Sequence, residues 1–305
     1  MISFVNAKIN LGLQIVNRRA DGYHDLQTVF YPVGIYAGTP ANPETFDDIL
    51  EITPAPGAEG FTFEQTGRDT GSPAEKNLVW RAAAEYFGHG TAKGFAVSIR
   101  LDKHIPDGAG MGGGSADAAF TLRMLRDLEA QYIAGTGADA VPSAALPDDD
   151  ALAAMALRLG ADCPFFLLNR PAFAEGVGER LKPLDVNLAG FWLAVVKPAV
   201  SVSTREAFAG VTPRPADFDL PRLPSIPIGE WPDLVTNDFE ASIFPRYPEM
   251  RTVKDSFYDR GAAYASLTGS GSCIYGIFAT RGAAEEALDY FRSFPTISES
   301  YLLNL

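Results

Sequence analysis

A glycine-rich segment between a predicted strand and a predicted helix constrains the fold more than any other part of the chain. Five glycines fall within the seven residues Gly108–Gly114, and a backbone so costly to order indicates a specific conformational requirement. Before it, apolar and polar residues alternate over 95–101, which predicts a half-buried strand. After it, leucines recur at helical spacing over 119–128, which predicts an amphipathic helix with Ser115 or Asp117 near its N-cap.

The backbone N–H groups of such a segment can bind an anion, because glycines leave them accessible and the following helix adds a favourable dipole. The phosphate groups of a nucleotide are the natural ligand. A P-loop would need a lysine directly after its last glycine, but no lysine occurs between Lys103 and Lys182. A G-x-G-x-x-G pattern is present at Gly108–Gly113, yet it lies far from the first predicted strand, where a dinucleotide fingerprint belongs. A flexible linker is not expected directly before an amphipathic helix.

Composition excludes several classes of protein. The chain has 305 residues, 47% of them hydrophobic and 21% charged, typical of a globular protein with one large or two ordinary domains. Its net charge of −13 argues against a nucleic-acid partner, which would need a basic surface. Cys163 and Cys273 lack metal-ligand spacing and are expected to be reduced thiols. With neither a signal peptide nor a long apolar run in view, we expect a cytoplasmic protein without a membrane partner.

Polar residues near the N-terminus leave two interpretations open. Residues 2–16 read as β-rich but are interrupted by Lys8 and Asn10. A lysine in an apolar strand either lies along an edge or places its ammonium beside a reacting phosphate, and spacing alone favours the edge. An Asp-Gly turn signal then presents Tyr23 and His24 side by side, which fits a solvated hairpin as well as an aromatic binding site.

Three later positions carry similar alternatives. Asn77 precedes a predicted helix and can serve as its N-cap. Asp162 is enclosed by apolar residues and either caps a turn or accepts a proton from a hydroxyl group. Nothing in the sequence near Cys163 would lower its pKa, so we expect a small core residue. The run Gly269-Ser270-Gly271, beside an apolar strand, is explained by a plain hairpin or by a second anion-binding loop.

The remaining segments predict a mixed α and β chain. We expect loops over 37–76, including Pro40 and Pro43, a solvated excursion over 133–150 and a proline-rich surface loop over 211–232. Short strands are predicted at 49–52 and 61–63, a buried strand at 191–198, and helices at 77–84, 150–159, 204–208 and 285–291.

The glycine segment resembles the phosphate loop of the GHMP small-molecule kinases, through the motif Pro106-x-x-Ala109-Gly110-Met111-Gly112-Gly113-Gly114-Ser115. Further family motifs match at 7–13, around Lys8, at 21–28 and at 160–166, and the turn at 269–271 is similar to the family's third motif. Together they cover most of the chain and resemble the branch whose substrate carries a cytidyl diphosphate. Ala116 stands where many family loops have a second serine, which leaves Ser115 to contact phosphate or metal.

The resemblance implies ATP and Mg²⁺ as cofactors and assigns roles to the candidate residues. Lys8 would stabilise charge on the transferred phosphoryl group, and Asp162 would accept the substrate hydroxyl proton. The implied nucleotide-binding residues are Asn77, Pro106, Gly108, Ala109, Gly110, Met111, Gly112, Gly113, Gly114 and Ser115. Ser115 is also the candidate metal ligand.

The resemblance also implies a pocket for the cytidyl group. Tyr23 would stack on cytosine, His24 would hydrogen-bond its edge, and Phe208 would cover the opposite face. The implied substrate-binding residues are Asn10, Tyr23, His24, Thr204, Phe208, Gly269, Ser270 and Gly271. The run Asn237-Asp238-x-Glu240 also recurs in the family.

The implied fold is the α+β, two-domain GHMP kinase fold. A domain similar to domain 2 of ribosomal protein S5 would bind ATP over residues 1–172. A ferredoxin-like domain would bind substrate over 173–305, and the active site would lie in the cleft between them. The implied activity is ATP-dependent phosphorylation of a hydroxyl on a small cytidyl diphosphate, in the non-mevalonate isoprenoid precursor pathway. The alternatives are a GHMP kinase of homoserine or mevalonate type and a non-catalytic nucleotide-binding regulator. Oligomeric state stays open.

Overall fold

The computed structural model describes residues 1–34, 46–69, 71, 73–136 and 146–305. As far as it is described, the chain forms two compact units that are discontinuous in sequence. The first comprises Met1–Ala7, Asn42–Asp107 and Gly112–Asn169, and the second comprises Lys8–Ala41, Gly108–Met111 and Arg170–Leu305. The predicted loop prolines Pro40 and Pro43 and the middle of the predicted 133–150 excursion lie outside the described residues.

The described chain begins with five strands and continues with short runs of helices and strands. The strands are β1 (Ile2–Val5), β2 (Ala7–Arg18), β3 (His24–Val33), β4 (Asp48–Pro54), β5 (Gly60–Gly67), β6 (Ala96–Lys103), β7 (Ala172–Gly176), β8 (Arg180–Pro183), β9 (Trp192–Pro198), β10 (Tyr264–Leu267), β11 (Ile274–Phe278) and β12 (Ile297–Asn304). The α-helices are α1 (Leu78–His89), α2 (Gly113–Thr136), α3 (Asp149–Leu159), α4 (Cys163–Leu168), α5 (Thr204–Ala209), α6 (Trp231–Leu234), α7 (Phe239–Ile243), α8 (Pro248–Asp259) and α9 (Arg281–Phe291). None of the helices within the described ranges combines the length and apolar character needed to traverse a lipid bilayer.

The first unit packs helices on one four-stranded sheet of order β1-β4-β6-β5. Strand β4 is antiparallel to β1 and β6, whereas β5 is parallel to β6. The alternation predicted over 95–101 forms β6, in which Val97, Ile99 and Leu101 are buried. Helix α2 contacts α1, α3, α4 and β4, so the helix that follows the glycine segment is central to this unit.

The second unit contains two four-stranded sheets, of order β2-β3-β7-β8 and β10-β11-β9-β12. Strand β9 is the continuous apolar run predicted at 191–198, and it lies between β11 and β12, antiparallel to both. Helices α8 and α9 pack against this second sheet. Apolar residues of β2, β9, β11, α8 and α9 share one core cluster, so β2 is tied to the C-terminal part of the chain.

The compact units differ from the expected division into 1–172 and 173–305. The segment Lys8–Ala41 belongs with the C-terminal residues because β3 pairs with β7 in antiparallel register. The proline-rich stretch 211–232 also differs from a plain surface loop. It contains 3₁₀-helices at Leu220–Ser225 and Ile228–Glu230 and buries Leu220 and Leu223.

Helix α2 begins at Gly113, earlier than the cap predicted at Ser115 or Asp117. The left-handed φ of Gly112, +73°, cannot belong to a right-handed helix, so the helix begins directly after it. A Cβ atom at Gly113 would lie 2.8 Å from Ile105 Cγ2 and 3.0 Å from Lys103 Nζ, so a larger residue there would force a neighbouring side chain to shift. Ser115 and Asp117 therefore lie within the first turns of α2.

Candidate functional site

The predicted site residues fall into two sets, one in each unit. The first unit holds Asn77, Pro106, Gly112, Gly113, Gly114, Ser115 and Asp162. The second unit holds Lys8, Asn10, Tyr23, His24, Gly108, Ala109, Gly110, Met111, Thr204, Phe208, Gly269, Ser270 and Gly271.

The glycine segment adopts a backbone that requires glycine at specific positions. Gly108, Gly110 and Gly112 have φ values of +60°, +73° and +73°, in the left-handed region where a Cβ atom is unfavourable. At Gly110 a Cβ atom would also lie 2.0 Å from the carbonyl oxygen of Thr268. Conformation and close approach therefore both exclude a side chain at Gly110.

Residues 108–111 lie against the turn that joins β10 to β11. The N–H groups of Ser272 and Cys273 donate to the carbonyls of the first two residues of this segment, at 3.1 and 3.2 Å. The two glycine-containing segments that the sequence indicated separately, 108–111 and Gly269–Gly271, are thus brought together in the second unit.

Lys8 is buried on β2, with 2% of its surface exposed. Its ammonium donates to Asn10 Oδ1 at 2.7 Å and to the Gly110 carbonyl at 2.8 Å. Its backbone N–H donates to the Met111 carbonyl at 2.9 Å, and Nζ lies 5.2 Å from the centroid of the Phe30 ring. Strand β2 is an edge strand of its sheet, but the Lys8 side chain is buried against residue 110 and does not extend into solvent.

Asn10 connects Lys8 to the second glycine turn. Besides the Lys8 ammonium, its Oδ1 accepts the Gly269 N–H at 2.9 Å. Its Nδ2 donates to Thr28 Oγ1 at 2.9 Å, and the residue is 1% exposed. Both polar atoms of Asn10 are therefore engaged by the protein, so the structure places it as a support for Lys8. Direct contact with substrate stays a prediction.

Aromatic and hydroxyl side chains predicted for the cytidyl pocket lie together. The rings of His24 and Phe208 are stacked, with centroids 4.7 Å apart and planes 16° from parallel. Thr204 Oγ1 lies 3.3 Å from Ser270 Oγ, which joins the start of α5 to the turn after β10. Tyr23 is 65% exposed, so its ring is accessible for stacking. Burial, together with the charge of a nearby arginine, lowers the pKa of His24 and favours the neutral imidazole.

In the first unit, Ser115 lies next to the segment that precedes α4. A Cβ atom on Gly160 would lie 3.4 Å from Cys163 Sγ and 3.9 Å from Ser115 Oγ, so the thiol and the hydroxyl border the same glycine. Burial raises the pKa of the Cys163 thiol to about 12, although a hydrogen bond with Ser115 opposes the shift. Cys163 is therefore a neutral, fully buried core residue, as the sequence predicted.

Asp162 occupies the N-cap position of α4, directly before Cys163. Among the described residues, its side chain makes no N-cap hydrogen bond to α4. Its negative charge contributes to the raised pKa of Cys163. A role as the proton acceptor stays a prediction.

Asn77 acts as the N-cap of α1. Its side chain accepts the Val79 N–H at 2.8 Å, and its Nδ2 donates to Gln65 Oε1 at 2.7 Å. The start of α1 lies close to the start of α2, because a Cβ atom on Gly114 would be 3.4 Å from Leu78 Cδ1. The capping alternative is confirmed, and recognition of the adenine base by Asn77 stays a prediction.

A buried ionic cluster at the base of the glycine segment was missed by sequence reasoning. Lys103, 3% exposed, forms ion pairs with Asp48 and with Asp117, the latter at 2.7 Å. Asp48 also accepts the backbone N–H groups of His104 and Ile105. Burial first, and then the charge of Asp48, raise the pKa of Asp117 well above its ordinary value, although the Lys103 ammonium opposes this. The cluster ties the end of β6 to the first turns of α2.

Comparison with known proteins identifies both parts of the chain. The family description "GHMP kinases N terminal domain" matches residues 77–170, and "GHMP kinases C terminal" matches residues 225–296. A 4-diphosphocytidyl-2-C-methyl-D-erythritol kinase of Parabacteroides distasonis is 42% identical over 91% of this chain and 92% of its own. The enzyme of the same name from Bacteroides thetaiotaomicron is 41% identical over 94% of this chain and 95% of its own.

Solved structures agree with this grouping. A crystal structure of 4-(cytidine 5'-diphospho)-2C-methyl-D-erythritol kinase has a TM-score of 0.77 and 31% identity, over 99% of this chain and 98% of that one. A homoserine kinase from Cytophaga hutchinsonii has a TM-score of 0.66 at 17% identity, over 99% of this chain and 95% of that one, and it supports the fold alone. The predicted α+β fold is confirmed, and the chain belongs to the GHMP kinase family, in the branch of the 4-diphosphocytidyl-2-C-methyl-D-erythritol kinases.

Proposed function

We propose that this chain transfers the γ-phosphoryl group of ATP to the 2-hydroxyl of 4-diphosphocytidyl-2-C-methyl-D-erythritol, giving the 2-phosphate and ADP in the non-mevalonate isoprenoid precursor pathway. The supporting observation is that Lys8, residues 108–111 of the glycine segment and the turn Gly269–Gly271 form one hydrogen-bonded group within the second unit. Relatives with that enzymatic name at 41–42% identity support the choice of substrate.

The phosphate end of the site is assigned to backbone groups and one ammonium. The segment Gly108–Ser115 would bind the phosphates of ATP through backbone N–H groups, because its glycines let an anion approach closely. The Lys8 ammonium, held by neutral oxygens of Asn10 and Gly110, would stabilise charge on the phosphoryl group during transfer. Positioning and charge neutralisation would supply most of the rate enhancement.

Proton transfer is assigned to Asp162. An ionised carboxylate accepts a hydroxyl proton when it lies within hydrogen-bond reach, and such catalysis contributes about 10²–10⁴-fold. The neighbouring Cys163, whose pKa is raised to about 12, remains protonated and does not compete for this role.

Mg²⁺ fits this site as a metal held mainly by phosphate oxygens. The described residues contain no group of three or more histidine, cysteine or acidic side chains that could enclose a metal. Mg²⁺ in kinases is typically bound by one or two protein oxygens together with the substrate phosphates. Ser115 Oγ is the proposed protein ligand, and the metal, when bound, neutralises phosphate charge.

The cytidyl group is assigned to the aromatic residues of the second unit. The exposed Tyr23 ring would stack on cytosine, and the Phe208 ring, now stacked on His24, would cover the opposite face. His24 is neutral at pH 7 because burial lowers its pKa, so it can hydrogen-bond the base edge without adding a charge. Thr204 and Ser270 would border the pocket.

The domain roles follow from these assignments. We assign ATP binding to the expected domain 1–172 and substrate binding to 173–305, with Tyr23 and His24 contributing to the substrate side. Buried free thiols at Cys163 and Cys273 are consistent with a reducing compartment. The cytoplasmic location stays a prediction.

A coupled ADP-release assay with a panel of acceptors tests the function. We expect ADP release with 4-diphosphocytidyl-2-C-methyl-D-erythritol and none above background with homoserine, mevalonate or no acceptor. Mass spectrometry should show the acceptor gaining one phosphate group. Preference for homoserine or mevalonate would replace the proposal with another GHMP kinase. ATP binding without ADP release for every acceptor would indicate a non-catalytic regulator.

Substrate choice can be tested within the same assay. Tyr23→Ala and Phe208→Ala should each raise KM for the cytidyl acceptor by roughly tenfold to a hundredfold, since base stacking contributes about 1–3 kcal/mol. KM for ATP should stay within about twofold. Tyr290→Ala, which removes another partly exposed tyrosine, on α9, serves as the control. Equal increases in both KM values would contradict the pocket assignment.

A further inference from the structure

The run Asn237-Asp238-x-Glu240 lies on a short stretch that pairs with β2. Leu13 N–H donates to the Thr236 carbonyl at 2.9 Å, and Asp238 N–H donates to the Leu13 carbonyl at 2.8 Å. Asn237 stands at the centre of this pairing and is 2% exposed. Its backbone is therefore fixed by the same strand that carries Lys8.

The Asn237 side chain is directed at the turn between β10 and β11. Its Nδ2 donates to the carbonyls of Leu267 and Gly269 at 2.8 and 2.9 Å. Its Oδ1 accepts the Phe239 N–H at 3.0 Å. Both amide protons of Asn237 are therefore used on backbone carbonyls of this turn.

Glu240, from the same run, holds the strand that leads into the turn. Its Oε1 accepts the Leu267 N–H at 2.9 Å and the Ser266 hydroxyl at 3.1 Å. Its Oε2 pairs with Lys254 at 2.6 Å. The N–H of Leu267 is hydrogen-bonded to Glu240 and its carbonyl to Asn237. These two contacts fix the last residue of β10.

These contacts determine the polarity of the turn. A backbone carbonyl that faces a phosphate repels it, whereas N–H and hydroxyl groups attract it. The Gly269 carbonyl accepts a hydrogen bond from Asn237, and the Gly269 N–H donates one to Asn10. The next residue, Ser270, has its hydroxyl beside Thr204. The side of the turn that faces α5 therefore presents the Ser270 hydroxyl. The Gly269 carbonyl is hydrogen-bonded to Asn237 instead.

We propose that Asn237 is a positioning residue for the diphosphate group of the acceptor, because it holds the carbonyls of Leu267 and Gly269 away from that anion. It acts through the turn Thr268–Gly271 and does not itself touch substrate. This role rests on the proposed function and on the interpretation of Gly269–Gly271 as a second anion-binding loop, which would border the acceptor diphosphate.

Asn237→Asp is the sharpest test, because it keeps the size of the side chain and the acceptor for Phe239. It replaces the two donors with an oxygen facing two carbonyls. We expect KM for the acceptor to rise at least tenfold, with KM for ATP within about twofold. Asn237→Ser, which is neutral and keeps one small donor, should give an intermediate KM and covers the case in which the aspartate variant does not fold.

Asp238→Asn is the matched control. Asp238 is also buried, and it accepts the Ile15 N–H at 2.7 Å and pairs with Arg214 at 3.0 Å, contacts that do not involve the turn. We expect this variant to lower Tm by an amount similar to that of the Asn237 variants but to leave KM for the acceptor unchanged. An increase of KM in all variants in proportion to the loss of Tm would overturn the proposal and show a merely structural role.

Amide hydrogen exchange supplies a readout that does not depend on activity. Without substrate, the Asn237 variants should exchange faster over residues 266–273, whereas Asp238→Asn should exchange faster over 13–16. Unchanged exchange over 266–273 in both Asn237 variants would overturn the positioning role. If the wild-type protein fails to phosphorylate the cytidyl acceptor, the proposed function fails, and exchange still decides whether Asn237 orders the turn.

Discussion

The two units each bury a lysine, and the two side chains are held in different ways. Lys8, in the second unit, donates to a side-chain amide oxygen and to a backbone carbonyl. Lys103, in the first unit, donates to the carboxylates of Asp48 and Asp117. These two hydrogen bonds of Lys8 end on neutral oxygens, whereas those of Lys103 end on carboxylates.

This difference predicts what each lysine contributes. Removing one partner from a buried ion cluster leaves an uncompensated charge and is strongly destabilising. The acceptors of Lys8 each have a second donor: Asn10 Oδ1 accepts the Gly269 N–H, and the Gly110 carbonyl accepts Thr268 Oγ1 at 3.1 Å. Loss of Lys8 would thus leave neither oxygen unsatisfied. We infer that Lys103 serves mainly stability and Lys8 mainly catalysis.

Among the changes that test the comparison of the two lysines, the largest expected effect is that of Lys8→Met on turnover. We expect kcat to fall about a hundredfold to a thousandfold, as when one preorganised electrostatic group is removed from an active site. Tm should change little, because the neighbouring oxygens keep other donors. Lys182→Met, at a lysine whose side chain is 71% exposed on β8, is the control and should leave both quantities unchanged. A large decrease in Tm with Lys8→Met would contradict the inference that Lys8 serves mainly catalysis.

The counterpart in the first unit is Asp48→Asn. The variant places an amide beside the Lys103 ammonium and weakens the acceptor of two backbone N–H groups. Asp117 remains to pair with Lys103, so we expect the free energy of unfolding to fall by about 1–3 kcal/mol, measured by urea denaturation. Asp102→Asn, at a half-exposed residue that pairs with His104, should cost less than about 1 kcal/mol. An equal decrease in the free energy of unfolding for both variants would show that the buried cluster contributes no more to stability than an exposed pair.

Asn10→Asp would exchange the neutral amide oxygen that accepts from the Lys8 ammonium for a carboxylate. A carboxylate in contact with the ammonium would reduce its attraction for the transferred phosphoryl group, so we expect kcat to fall roughly tenfold or more. Steady-state kinetics distinguish this electrostatic effect on Lys8 from a loss of direct contact between Asn10 and the acceptor. If Asn10 acts only by touching the acceptor, KM for the acceptor will rise while kcat remains unchanged.

The smallest expected effect is a change in the pH dependence of stability with Asp117→Asn. Burial raises the pKa of Asp117 in the folded protein, so the folded state retains this proton at pH values where the unfolded chain has released it. The free energy of unfolding of the wild type should therefore decline, relative to Asp117→Asn, as pH rises above about 4, the ordinary aspartate range. Thermal melts between pH 4 and 8 measure the difference. Parallel curves for the two proteins would contradict the raised pKa.

Local patterns predicted the elements of the site but not the partners of its polar groups. The alternation over 95–101, the glycines of 108–114 and the apolar run at 191–198 each form the predicted kind of structure, because periodicity and backbone freedom are properties of neighbouring residues. Asn77 likewise caps α1 as its position suggested.

Long-range contacts explain what sequence reasoning missed. Asp117 was expected near a helix cap, but it pairs with Lys103, and Asp48 joins them from another strand. Asn10 is predicted to bind substrate, and its hydrogen bond from the Gly269 N–H could not be read from the sequence. No pattern of neighbouring residues encodes such pairings, since they depend on how distant segments meet. In the sequence, Lys103 follows a predicted strand, but nothing near it points to Asp48 or Asp117 as its partners.

The most direct test of the proposed transfer is a single-turnover measurement on Asp162→Asn. Rapid quench with labelled ATP and the cytidyl acceptor gives the rate of phosphoryl transfer, while calorimetry gives the dissociation constant for ATP. We predict a transfer rate about 10²–10⁴-fold below that of the wild type, with ATP affinity within about twofold. Transfer at the wild-type rate would remove Asp162 from the reaction and contradict the proposed mechanism.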